Sequence, residues 1–142
     1  ARGKKVYAAV NTLVEEDELP ELLKSLDICS RCRVDAVILQ DLGAARIVRE
    51  KYPELELHAS TQMAVHNKEG ALALKKLGFS RVVLARELSL AEIKDIASIP
   101  GLETEAFIHG ALCYSYSGMC LFSSLECGRQ PRQMPLSLPR GV

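Results

Sequence analysis

Asp35-Ala36-Val37-Ile38-Leu39-Gln40-Asp41, followed at once by Leu42-Gly43, is the stretch on which the fold turns. A short apolar run of strand length ends in two polar residues, and a helical pattern begins at about Gly43. That helix runs to Lys51 and is stopped by Tyr52-Pro53, because the residue before a proline is pushed out of helical backbone. The unit is a buried strand feeding a helix across a polar corner.

The same unit recurs on both sides. Upstream, Lys5 to Asn11 reads as a strand, and Glu15 to about Arg31 as a helix with Leu19, Leu22, Leu23 and Leu26 at helical spacing. Pro20 suits the first turn of that helix. Downstream, Leu55 to Ser60 is a strand, and Asn67 caps a helix that runs to Leu77 and stops at Gly78. Arg81 to Arg86 is the fourth strand. Ser89 with Glu92 forms a capping box for a helix to about Ala97, broken by Pro100-Gly101. Leu102 to Ile108 is the fifth strand. Strands alternating with helices at near-even spacing predict an α/β fold of parallel βα units. Two architectures give that string, a (βα) TIM-like barrel and an open doubly wound sheet. No glycine-rich phosphate loop follows the first strand, which weakens the dinucleotide-binding form of the second. The chain has 142 residues, short of the ~250 of a complete βα barrel. The expectation is therefore a partial barrel with parallel strands, incomplete at both ends.

Composition bounds the function only loosely. The chain is 48% hydrophobic and 25% charged, and 18 basic residues balance 18 acidic ones. That balance demands neither a nucleic acid nor a membrane partner, and it leaves room for a local patch. No apolar run can span a bilayer. The opening residues are too short and too alternating for a signal peptide, so a cytoplasmic location is expected. Five cysteines in such a chain argue against a disulfide framework and for reduced thiols, a metal or an iron–sulfur cluster. Cys29-Ser30-Arg31-Cys32 has redox-motif spacing but sits at a helix end, where the dipole does not lower a thiol pKa, and it reads as incidental.

Polar residues gather at the strand ends: Asn11, Gln40-Asp41, His58 to Gln62, Arg86-Glu87 and His109-Gly110. In a βα barrel those ends converge on the active-site face. Asp41 is either a helix cap or, with Gln40, a ligand-binding pair. His58 and Ser60 alternate onto one side of a strand and, with Gln62, are substrate-contact candidates or parts of a hydrogen-bonded turn. Arg86 is suited to a bidentate carboxylate contact, and Arg86 with Glu87 equally suits a salt bridge across the barrel mouth. Glu105 to Cys120 then ends a strand in His109-Gly110 and enters a loop with Cys113 and Cys120. Thiolates there suit a soft metal or an iron–sulfur cluster.

That last stretch resembles the peptidase U-32 (collagenase-like protease) family. Glu105, Phe107, His109, Gly110, Ala111, Leu112, Cys113, Ser117, Gly118 and Cys120 match its pattern. Val34 to Ile38 with Gln40-Asp41, Leu57 to Gln62, and Gly78-Phe79 to Ser89 resemble it as well. The resemblance covers residues 3 to about 126. It implies a βα-barrel catalytic domain, and in several members a [4Fe–4S] cluster, with Cys113 and Cys120 as two of its four ligands. It implies oxygen-independent hydroxylation of RNA (tRNA or rRNA), with prephenate as a linked cofactor. His58, Gln62, Arg86 and His109 would then meet substrate or cofactor. The alternative that the family's inherited name implies is a peptidase acting on a peptide substrate, for which Cys113 with His109 is the local thiol–base pair. A further alternative is an inactive fragment whose exposed sheet edges favour self-association.

The sequence departs from the family after Glu126. Residues 1–127 are expected to form the barrel portion and residues 128–142 an irregular tail. The tail reads Gly128-Arg129-Gln130-Pro131-Arg132-Gln133-Met134-Pro135 and onward, where the family continues with a glycine-rich basic stretch and two further cysteines. One permitted set of codons, read a nucleotide later, turns Arg132-Gln133-Met134 into Gly-Lys-Cys. A frameshift near Cys127 is the resulting expectation, to be checked by resequencing the DNA.

Overall fold

The computed structural model describes residues 3–120. The boundary expected at Cys127 and the tail after it lie outside them. The described chain runs β1 (Tyr7–Val10), α1 (Leu19–Arg31), β2 (Ala36–Leu39), α2 (Leu42–Lys51), β3 (Glu56–Ala59), α3 (Lys68–Lys76), β4 (Phe79–Val83), α4 (Leu90–Ala97) and β5 (Glu103–Glu105). The strands form one five-stranded sheet in the order β1-β2-β3-β4-β5. Every pairing is parallel.

The helix boundaries follow local chemistry. Asp41 accepts a hydrogen bond from the Ala44 N–H at 2.8 Å and so caps α2. Asn67 does the same for α3 through the Gly70 N–H. Ser89 and Glu92 form the expected box at α4. Pro20 sits in the first turn of α1, where its missing N–H costs nothing. Gly78 ends α3 at a φ of +93° and turns the chain directly into β4.

Three expectations are corrected. The helix expected from Glu15 opens instead with a 3-10 turn over Glu16–Glu18, and α-helix begins at Leu19. The fourth strand begins at Phe79, two residues early, because Gly78 leaves no linker before it. Its backbone bonding continues through Leu84, which donates to the Glu105 carbonyl at 2.8 Å. The fifth strand stops at Glu105, and Phe107 and Ile108 are exposed.

The strand order is not that of a doubly wound sheet. A doubly wound sheet reverses its order at a switch point, and this sheet has no reversal. Successive crossovers run in one direction, so right-handed connections place the helices on one face. The register identifies that face. Ala8, Val37, Leu57 and Phe79 align across the sheet, as do Val10, Leu39, Ala59 and Val82. Together with Leu22, Leu26, Ala44, Val48, Ala71, Leu74 and Ile96 of the helices, most of them form the hydrophobic core. Each fully buried Leu or Val there contributes roughly 1.5–3 kcal/mol.

The opposite face carries Tyr7, Ala9, Ile38, Glu56, His58, Arg81, Glu103 and Glu105. An extra residue between the β3 and β4 partners places Arg81 opposite His58. Arg81 is paired with Glu103 at 2.5 Å and Glu105 at 3.4 Å, and its guanidinium lies over the Tyr7 ring at 5.1 Å. The sheet thus has an apolar helix-covered side and a polar side. No helix among the described residues is long and apolar enough to cross a membrane.

Candidate functional site

The carboxyl ends of β3 and β4 and the loop after β5 meet around one cavity of about 280 Å³. Thr61 and Gln62 line it from the turn after β3, and Arg86 from the end of β4. Phe107, Leu112, Cys113, Tyr116, Gly118 and Cys120 line it from the loop. Both cysteines of the loop motif therefore line the same space.

The loop is held to the strand ends by polar contacts made with its backbone and with the Ser117 hydroxyl. The Arg86 guanidinium donates to the carbonyls of Cys113 and Ser115, and its Nε donates to Ser117 Oγ at 3.3 Å. Ser117 Oγ also accepts the Arg86 N–H at 3.2 Å. Glu87 Oε1 accepts the Ser117 N–H at 2.9 Å. Ser117 is 2% exposed as a result. Burial pulls the Glu87 carboxyl upward, but hydrogen bonds from the Ser117 amide and hydroxyl outweigh it, and the group stays below its ordinary range. Gly118, at φ +79°, lets the loop lie against Gln62. A Cβ at that position would stand 2.7 Å from the Gln62 carbonyl oxygen.

The residues singled out from the sequence divide between this cavity and other places. Gln62, Arg86, Cys113 and Cys120 line it. Glu87 lies beneath the loop. Arg86, read as suited to a carboxylate, turns much of its fork onto the chain itself. Asp41 caps α2 and also accepts the Val14 N–H at 3.3 Å, so both its oxygens are engaged. Gln40 has a buried Oε1 with no hydrogen-bond partner among the described residues. Ser60 is buried and accepts the Gln62 N–H. His58 is 2% exposed and lies on the polar face of the sheet, edge-on to Tyr7 at 4.7 Å, with Nε2 3.6 Å from Glu56. Burial, and then the Arg81 charge, hold its pKa below the ordinary value. His109 is exposed, and among the described residues no hydrogen bond joins it to Cys113. Cys29 is buried in α1 and Cys32 exposed at its end. Burial, followed by the neighbouring Cys32, raises the Cys29 pKa, the opposite of an activated thiol.

Sequence reading missed His66. Its ring stacks on Tyr116 at 5.0 Å and an interplanar angle of 9°, and its Nε2 lies 3.3 Å from Glu87. That separation meets an ion-pair distance, while the nitrogen lacks the alignment of a hydrogen bond. The only signal in the sequence was an imidazole in the same strand-to-helix loop as Ser60 and Gln62.

The donor set can be weighed against a [4Fe–4S] cluster, which takes four cysteine thiolates. Cys113 and Cys120 line one cavity and would supply two of them. No group of three or more metal-ligating side chains occurs among the described residues. The pair fits half of such a ligand set, and Cys127 lies outside the described residues.

Comparison with known proteins places this geometry. The model of peptidase family U32 matches residues 1–133. The chain is 40% identical to tRNA hydroxylation protein P of Escherichia coli over 134 residues, covering 94% of this chain and 30% of that protein. It is 41% identical to the 23S rRNA 5-hydroxycytidine C2501 synthase of E. coli over 127 residues, covering 89% of this chain and 19% of that protein. It is 42% identical to an uncharacterized protease of Methanocaldococcus jannaschii, covering 89% of this chain and 32% of that protein. The chain thus spans less than a third of the length of these curated relatives. The solved structure of the U32 peptidase Mk0906 superposes with a TM-score of 0.62 at 24% identity, over 74% of this chain and 46% of that one, a likeness of fold. The chain belongs to peptidase family U32.

Proposed function

We propose that this member of peptidase family U32 is the cysteine-bearing part of an iron–sulfur enzyme that hydroxylates RNA without oxygen. The observation that carries the reading is that Cys113 and Cys120 line one cavity at the carboxyl ends of parallel strands. Two similar proteins, at 40% and 41% identity, are named for tRNA hydroxylation and for 5-hydroxycytidine synthesis in 23S rRNA.

Cys113 and Cys120 would hold two irons of a [4Fe–4S] cluster, and two further thiolates would complete it. When bound, the cluster supplies one-electron redox chemistry. The chain's own residues do the rest. Thr61 and Gln62 offer hydrogen bonds at the cavity wall, while Phe107 and Leu112 supply its apolar surface. Prephenate, a dicarboxylate, would meet the two N–H donors of Arg86 beyond the three engaged by the loop. The RNA is approached from the open side, and the setting is the cytoplasm. Further strands would close the sheet into a barrel.

The peptidase reading needs a thiolate paired with a base. His109 and Cys113 share no hydrogen bond among the described residues, so that reading lacks an assembled nucleophile here.

The test is anaerobic purification of the protein expressed from its native gene, with iron and sulfide analysis. A brown protein whose iron and visible absorbance are lost in Cys113→Ser and in Cys120→Ser supports the proposal. Deletion of the gene should remove one oxygen atom's mass from a tRNA or rRNA nucleoside. A colourless, iron-free protein that cleaves gelatin would overturn it.

A further inference from the structure

Among the described residues, Glu87 is the one acidic side chain that bonds to the cysteine loop from the strand ends without lining the cavity. One carboxylate oxygen accepts the Ser117 N–H at 2.9 Å. The other lies 3.3 Å from His66 Nε2, and that imidazole stacks on Tyr116. Ser117 and Tyr116 both lie between Cys113 and Cys120 in the chain. A single carboxylate therefore grips the loop twice, once through backbone and once through a ring. Among the described residues, the hydrophobic core contains none beyond Leu102, so this grip lies outside that core.

We propose that Glu87, acting through Ser117 and through His66 against Tyr116, is a positioning residue that sets where the two thiols stand in the cavity. Its effect on a bound cluster rests on the function proposed above, whereas the seat itself does not. A hydrogen bond to a charged acceptor resists opening far more than one to water, so the loop is held in one place before anything binds. Preorganisation of this kind spares the ordering cost when the thiols take up their ligand.

The experiment compares the full chain with Glu87→Ala and Glu87→Gln. Amide exchange at Ser117 should accelerate about ten-fold or more in the Ala variant, from loss of a charge-assisted bond. Gln keeps an acceptor oxygen and should restore part of that protection. The melting midpoint should fall by only a few degrees in the Ala variant and by less in the Gln variant, because the sheet and its core stay intact. After anaerobic reconstitution, iron retention and the visible spectrum should change in the Ala variant and be partly rescued in the Gln variant. Unchanged Ser117 exchange in Glu87→Ala would overturn the proposal. So would faster exchange with iron retention and spectrum identical to wild type, since the seat would then not position the thiols. If the unmodified chain binds no iron while Ser117 exchange responds as expected, the iron–sulfur reading fails and the seat stands. Alkylation rates of Cys113 and Cys120 then decide whether it positions them: a shift in Glu87→Ala supports the proposal, and unchanged rates overturn it.

Discussion

Replacing Gly118 by alanine should lift the cysteine loop off the strand ends while leaving the sheet intact. Two costs add. The residue sits at φ +79°, where an L side chain costs roughly 1–2 kcal/mol. The new Cβ would also stand 2.7 Å from the Gln62 carbonyl oxygen and 3.0 Å from the Ala64 Cβ. The first of those atoms is backbone and cannot rotate away, and overpacking of this kind costs about 1–3 kcal/mol. The combined penalty is comparable with the charge-assisted bond from Ser117 to Glu87, worth about 1.5–3 kcal/mol. The loop should then spend much of its time unseated. Amide exchange followed by NMR reads this directly, because the Ser117 N–H donates to Glu87 and the Met119 N–H to the Tyr116 carbonyl at 3.1 Å. Both should lose protection by about ten-fold, a shift of about 1.4 kcal/mol, while core amides of β2 and β3 remain the best protected in the chain. Gly118→Asn separates the two costs. Asparagine tolerates left-handed backbone but carries the same Cβ. It should release the loop nearly as well as alanine does. Full Ser117 protection in the Asn variant would mean that the contact with Gln62 does not exist, and the account of how the loop is seated would fail.

Two further expectations concern the scaffold. His58 is held neutral by burial and by Arg81, so its folded pKa lies below the ordinary 6.5. The unfolded chain therefore binds a proton that the folded one refuses, and stability falls as pH drops through the unfolded value. His58→Met should flatten the loss of urea midpoint between about pH 7.5 and pH 5, and an unaltered slope would refute the assignment. Asp41→Ala should cost about 1–2 kcal/mol by removing the α2 cap, seen as a lower denaturation midpoint. Asp41→Asn keeps an acceptor for the Ala44 N–H and should lose much less. Equal losses in the two variants would show that the cap is not the source.

How much was legible in the sequence depended on the reach of each interaction. The caps at Asp41, Asn67 and Ser89 could be read because donor and acceptor lie three residues apart. Leu22 and Leu26 announced the buried face of α1 for the same reason. The loop motif placed Cys113 and Cys120 at the end of a strand, and both line the cavity there. The end of the fifth strand was not legible, since Phe107 and Ile108 are apolar in sequence but exposed in space.

The amino-acid sequence by itself determined the alternation of strand and helix, the parallel sheet that alternation requires, and the family pattern around the two thiols. Only the tertiary structure decided that the strand order has no switch point and that His58 is buried on the polar face. It alone also committed Arg86 and Glu87 to the cysteine loop and brought His66 beside them. The reason is register. Strand periodicity assigns a side chain to one of two faces, but its neighbour across the sheet depends on how strands line up over separations of twenty residues or more. One extra residue between the β3 and β4 partners sets Arg81 opposite His58. No local pattern announces it.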